Sequence, residues 1–209
     1  MNIIEKLKWR YATKKFDSRK KISDSKLTIL KEAFNLTALS YGLQTLKLVI
    51  IEDKTIRETL VAASYGQRQV VDASHLLVVC IQDTIGSSDV ESHFENVQEI
   101  RNTSDAILDP YKEQLKKTVK AMSKTELHIW STNQAYIALG NLMTVCAAED
   151  IDSCPMEGFI PENVDDQIGL GKLGLRSVLL LPVGYRAEDD MFAKLEKVRK
   201  PLSETVIEI

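Results

Sequence analysis

Between Ser123 and Glu149 the chain carries its most hydrophobic helical pattern, and no other segment constrains the fold as much. Ser123-Lys124-Thr125-Glu126 reads as a capping box, in which the serine side chain and the glutamate three residues on satisfy each other's backbone N–H groups, so the helix start is fixed there. Leu127, Trp130, Tyr136, Ile137, Leu139, Leu142, Met143, Val145 and Cys146 then leave little purely polar face. A helix that is apolar nearly all round has to be buried. A chain of 209 residues has limited room for a central helix of that length, so a subunit interface is a natural place for it.

The remaining elements follow from periodicity. Ile3, Ile4 and Leu7 recur at helical spacing, and a second helix is predicted from about Asp24 to Leu36 with Leu27, Leu30 and Phe34 inward. Leu46 to Ile51 and His75 to Ile81 read as buried strands; Leu48-Val49-Ile50-Ile51 is a continuous apolar run of the kind used by a sheet covered on both faces. Asp53 caps a helix through Ala63 between them. The stretch from Val90 to Met122 is more polar and helical, a surface excursion. A short strand near Ser153, a capped helix from Pro161, a strand from Val178 to Val183 and an alternating tail from Val206 to Ile209 complete an α+β pattern with few strands. The tail has no obvious home in its own sheet. With no Pro/Gly/Ser-rich linker, low-complexity run or repeat, residues 1–209 read as one domain.

Charge and residue usage exclude several functions. Lys+Arg 27 against Asp+Glu 30 gives a mixed, mildly acidic surface, with no broad field to favour nucleic acid or anionic lipid. The charged N-terminal stretch lacks a secretory apolar run, and no segment approaches the ~18 uncharged apolar residues of a membrane span, so a cytoplasmic location is expected. Cys80, Cys146 and Cys154 sit in apolar stretches with no Cys-x-x-Cys spacing and read as reduced packing residues. His75, His93 and His128 have no partner at a metal-ligand spacing, so no metal is expected. Gly169-Leu170-Gly171-Lys172-Leu173-Gly174 matches G-x-G-x-x-G, but a helical segment precedes it and a strand follows, the reverse of a dinucleotide fingerprint. It reads as a helix C-cap and turn.

What survives is a small anion site. Arg10-Tyr11-Ala12-Thr13-Lys14 and Lys197-Val198-Arg199 lie at opposite ends of the chain, and folded together they could hold a phosphate. Seven strings, RYATKKFD from Arg10, SYGLQ from Ser40, QRQVVDASH from Gln67, YIALGN from Tyr136, SCPMEGF from Ser153, LLPVGYR from Leu180 and KVRKP from Lys197, stand in the order in which similar strings occur in the FMN-dependent nitroreductase family. The chain resembles that family over nearly its whole length. The resemblance implies an α+β nitroreductase-like fold with a mixed central sheet between helices. It also implies a homodimer with FMN at the interface, and a C-terminal strand exchanged onto the partner's sheet. Residues 90–122 would then cover the active site.

By the same resemblance, Arg10, Lys197 and Arg199 would bind the FMN phosphate, with Tyr11 and Ala12 in the same segment. Lys14 would lie near the N1/O2 edge of the flavin and Gln69 at its pyrimidine portion; Leu39 and Ser40, from the same subunit or its partner, would meet the ring or ribityl chain. Pro155, Met156, Glu157 and Gly158 would pass along the ring, with backbone N–H groups toward O4 and N5 and a glycine where the backbone approaches a flat surface. Trp130, Tyr136 and Phe159 read as packing residues. Relatives commonly carry a small or polar residue at Leu39 and Pro followed by an aromatic at Thr45-Leu46, so this stretch would either reshape the approach to the flavin face or repack the following strand; some carry Lys at Gln69, and its loss would remove one cation from the N1 edge. The implied activity is hydride transfer from NADH or NADPH through FMN to quinones, nitroaromatics or related small acceptors by a ping-pong scheme. Flavin N5 would do the chemistry, with Gly158 and Lys14 tuning it. A specialised dehalogenase or enone reductase on the same fold, or a non-catalytic FMN carrier, stays open at this point.

Overall fold

A computed structural model describes residues 2–209. Strands β1 (Leu46–Ile51), β2 (His75–Gln82), β3 (Asp152–Ser153) and β4 (Leu175–Gly184) form one sheet in the order β1-β2-β4-β3. β2 is buried from His75 through Ile81, and alternation along it sends side chains into two separate cores. Leu76, Val78 and Cys80 point to the side covered by helices α3 (Lys54–Ala63), α4 (Gln69–Asp72) and α8 (Pro161–Ile168), where they meet Leu60, Val70 and Val164. Leu77, Val79 and Ile81 point to the opposite side, against Leu30 of α2 (Asp24–Asn35) and Ala135, Ala138 and Leu142 of α7 (Lys124–Ala148). Both faces of the sheet are therefore covered, as the continuous apolar strands require.

The capping chemistry is where the sequence places it. Ser123 N donates to Glu126 Oε2 at 2.7 Å while Glu126 N donates to Ser123 Oγ at 3.3 Å, opening α7. Asp53 Oδ1 accepts from Thr55 N at 2.7 Å, opening α3. The G-x-G-x-x-G string proves to be a C-cap and turn: Gly169 closes α8 at φ +71°, a 3-10 turn covers Leu170–Leu173, and β4 follows at Leu175.

Several expectations change. The pairings among β1, β2, β3 and β4 are all antiparallel, and parallel geometry is confined to one isolated bridge, Ala12 with Ser153. The expected mixed sheet is thus antiparallel within this chain, because α3 leads away from β1 and the segment through α4 returns to the same edge, pairing Ile51 with Leu76. β4 begins at Leu175, ahead of the expected Val178, since an irregularity between Val79 and Cys80 lets Leu175 pair with Gln82. The helical excursion is two helices, α5 (Ser87–Arg101) and α6 (Asp105–Ala121), and it has a core of its own: Val90, Phe94, Leu115 and Val119 close on Leu43, Ile85 and Leu127. The tail beyond α9 (Leu202–Thr205) is exposed and pairs with no strand of its own chain.

The long helix is only half covered. One side of α7 packs on the sheet, but Ile129, Tyr136 and Ile137 remain 58%, 44% and 50% exposed. Helix α1 (Ile3–Trp9) packs against α7 yet buries none of its residues, leaving Ile3, Ile4 and Leu7 open.

Candidate functional site

The two basic stretches do come together. Lys197 Nζ donates to the backbone carbonyl of Arg10, and Arg199 lies close enough to Arg10 to lower its pKa, after the larger effect of burial. Lys197 is lowered too, first by burial, then by Arg10, Arg199 and Arg186. Like charges gathered in this way repel. Among the described residues no carboxylate forms an ion pair with Arg10, Lys197 or Arg199, and Arg10 Nε is buried with no hydrogen-bond partner. An uncompensated cation cluster with an orphaned buried donor is a place for an anion.

The loop that carries Arg10 is held by residues outside the predicted set. Asp190, 3% exposed, accepts from Tyr11 Oη at 2.8 Å and from the backbone N–H groups of Lys14 and Lys15 at 3.0 Å through Oδ2, and from Phe192 N at 3.1 Å through Oδ1. Burial alone would raise this carboxyl, but the bonds from Lys15, Tyr11, Phe192 and Lys14 outweigh it and hold the pKa below its ordinary value. Arg186 donates from Nε to Asp152 Oδ1 at 2.7 Å, and its guanidinium lies 4.3 Å from the Trp9 ring centre and 4.6 Å from that of Tyr11. Thr13 N donates to Ser153 O at 3.2 Å, which binds the loop to β3 and leaves Ala12 packed on the core. Asp190 was illegible in sequence because it ends the run Glu188-Asp189-Asp190, which reads as solvated surface charge.

From beside this cluster the chain leads along β4 toward Gly158. The Cys154 thiol feels the charges of Lys14 and Arg10, and Cys154 N donates to Pro182 O at 3.1 Å. The chain then runs extended through Pro155 beside β4, with Met156 N donating to Leu180 O at 2.8 Å, so Gly158 lies about 13 Å further on. Along α7 the spacing is similar: Cys146, beside Arg10, is ten residues from Tyr136, which bonds Glu157, or about 15 Å. At the far end Phe159 N donates to Glu157 O at 2.9 Å and Gln67 Nε2 donates to Gly158 O at 2.8 Å. The N–H groups of Glu157 and Gly158 themselves have no acceptor among the described residues. A Cβ on Gly158 would stand 3.0 Å from Gln67 Nε2, so the glycine keeps this turn thin.

The remaining predicted residues divide. Met156 is buried and offers backbone, not side chain, to any ligand, whereas Leu39 is only partly buried against the core. Gln69 begins α4, and the side chains of Gln69 and Lys14 are uncommitted to any hydrogen bond among the described residues. Ser40 opens a 3-10 turn, Ser40–Gly42, that rests on α7 through Ser40 N donating to Gln134 Oε1 at 2.9 Å and through Tyr41, whose ring lies 6.0 Å from that of Trp130. Gly42 in that turn has φ +71°, and a Cβ there would meet His93 Cε1 of α5 at 2.7 Å. Gly42→Ala is therefore expected to cost about 1–3 kcal/mol, from left-handed strain and displacement of His93, read as a lower urea midpoint with an unchanged slope.

The three cysteines are buried and free; burial pushes the thiols of Cys80 and Cys146 up to about 12, which keeps them inert. Among the described residues no helix is long and apolar enough to cross a membrane.

Among the described residues, the site therefore has cations without a paired carboxylate at one end and two N–H groups without an acceptor at the other. The pattern of the nitroreductase family matches residues 7–185, and the chain belongs to that family. It is 31% identical over 208 residues to a Staphylococcus epidermidis protein named "putative NAD(P)H nitroreductase", covering 93% of this chain and 92% of that one. A Bacillus subtilis protein of the same description is 32% identical over 205 residues, covering 90% of each. Among solved structures, a B. subtilis "putative nitroreductase" superposes at TM-score 0.88 with 21% identity, over 99% of this chain and 98% of that one. A "putative nitroreductase in complex with FMN" from Exiguobacterium sibiricum superposes at 0.85 with 19% identity, over 100% of this chain and 98% of that one. At these identities the structures bear on the fold alone.

Proposed function

We propose that the protein is an FMN-dependent oxidoreductase that passes hydride from NADH or NADPH to quinones, nitroaromatics or related small acceptors, donor and acceptor using one open pocket in turn. The observation that carries this reading is the Arg10–Lys197–Arg199 cluster with its buried, unpartnered Arg10 Nε. It suits a phosphate dianion, and the Glu157 and Gly158 N–H groups at the other end suit a ring that presents acceptors. When bound, FMN supplies a two-electron hydride carrier.

The chain's own residues bind and tune it. Arg10, Lys197 and Arg199 hold the phosphate; Tyr11 and Ala12 carry the loop. Lys14 and Gln69 attend the pyrimidine edge, Leu39 and Ser40 the ring or ribityl chain, and Pro155 to Gly158 the N5 side. Solvent delivers the proton that accompanies hydride to the acceptor. The exposed apolar residues of α7 and α1 support a homodimer, and the unpaired outer edge of β1 with the exposed tail from Val206 to Ile209 supports strand exchange between its subunits. A cytoplasmic location accords with this chemistry.

The test is an anaerobic visible spectrum of FMN-loaded, desalted protein before and after NADH or NADPH, then with menadione or a nitrofuran. Retained flavin that bleaches and recovers supports the reading, whereas flavin lost on desalting removes the site assignment. Flavin that is retained but never bleaches would make the protein a carrier. Lys14→Ala should keep flavin bound but lower its midpoint potential, because a cation near N1 favours the negative charge that reduction places there; an unchanged potential takes Lys14 away from that edge.

A further inference from the structure

Tyr136 was expected to be a packing residue, yet its ring is not enclosed. It stands 44% exposed on the outer side of α7, and its hydroxyl donates to Glu157 Oε1 at 2.9 Å. No other hydrogen bond to the Glu157 carboxylate exists among the described residues, and no cation is paired with it. The carbonyls of that turn are fixed as well. Met156 is locked to Leu180, the Glu157 carbonyl takes Phe159 N–H, and the Gly158 carbonyl takes Gln67. What remains free is the pair of N–H groups of Glu157 and Gly158, with an unpaired carboxylate tethered beside them.

We infer that Tyr136 is a positioning residue for flavin potential: by tethering the Glu157 carboxylate next to the Gly158 N–H, it keeps a fixed negative charge at the end of the site opposite the phosphate cluster. The inference rests on the FMN reading of the site. Reduction adds negative charge to the ring system, so a held carboxylate opposes it, in contrast to the cations at the other edge. Glu157 is exposed, so without the tether its side chain is free to swing away from the turn, and its opposition fades with distance and screening. Donation from the phenol also accounts for the raised pKa of Tyr136, whose first cause is this hydrogen bond and whose second is burial.

The experiment is a double-mutant cycle on FMN-loaded protein with Tyr136→Phe, Glu157→Gln and the double variant, read as midpoint potential by equilibration with a reference dye and as oxidised-FMN affinity by fluorescence titration. Tyr136→Phe should raise the preference for reduced over oxidised flavin about three- to tenfold, tenfold being about 30 mV for a two-electron couple. Glu157→Gln should raise it at least as far, and adding Tyr136→Phe to Glu157→Gln should move it no further. An unmoved potential in Tyr136→Phe with flavin still bound overturns the inference, and so does an equal shift in both backgrounds, which would make the phenol act on its own. Failure of the wild-type protein to hold FMN would instead overturn the reading on which the inference stands, and the affinity titration separates the two results.

Discussion

Arg10→Ala should weaken FMN binding about 10- to 150-fold while the flavin-free protein melts at the same or a higher temperature. The opposite directions follow from what surrounds the side chain. A charged hydrogen bond to phosphate contributes about 1.5–3 kcal/mol, and each 1.4 kcal/mol is a factor of ten in affinity. In the absence of a ligand, the guanidinium is half-buried, its pKa lowered first by that burial and then by Arg199, while it lowers that of Lys197 in turn, with Nε orphaned. Removing it relieves repulsion and an unsatisfied donor together. Wild-type affinity should also fall as salt is raised, and the variant's should fall less steeply, because fewer charges are left to screen. Fluorescence titration of FMN beside a melting curve of the stripped protein decides the point: affinity and melting temperature falling together would make Arg10 a structural residue and leave the phosphate without its central ligand.

How much of this was legible in the sequence differs by element, for physical reasons. Helix α7 and its capping box were legible to the residue, because local chemistry sets a helix start. Both faces of the sheet were foreseen from the apolar run of β1, since alternation fails only where both faces are covered. The direction of pairing was not, because it depends on where α3 and α4 return the chain, a matter of three-dimensional path and not of residue type. The third core under α5 and α6 was hidden by its composition: Val90, Phe94, Leu115 and Val119 are few and spread among charges, and only the pairing of two helices concentrates them. In the site, the cations were visible as charge without purpose, but the residues that orient them were not. Arg186 and Asp190 look like ordinary surface charges, and what sets them apart is burial against partners more than 170 positions away in the case of Asp190 and Tyr11.

Asp190→Ala should be the most destabilising single change in the site, by about 3–5 kcal/mol, because each buried donor left without an acceptor costs about 1–3 kcal/mol before the loop relaxes. It leaves the Tyr11 hydroxyl and the N–H groups of Lys14, Lys15 and Phe192 without an acceptor in a place that is 3% exposed in the native chain. For a chain of this size that is a loss of roughly 6–20 °C in melting temperature. Flavin affinity should go with it, because the bonds that are lost fix the segment from Tyr11 to Lys15 relative to the phosphate cluster; this coupled loss distinguishes Asp190→Ala from Arg10→Ala. Asp190→Asn should cost less in stability but change the pH dependence. The folded carboxyl lies below its ordinary value, so its contribution is complete above the unfolded pKa of about 3.9 and disappears as pH falls through the folded one. An amide does not titrate, so the gap in stability between wild type and Asp190→Asn should be constant above about pH 5 and close as the solution is acidified below about pH 4. Urea midpoints at several pH values measure this gap directly. A gap that stays constant into acid would mean that Asp190 contributes through shape alone and that its charge does not hold the loop.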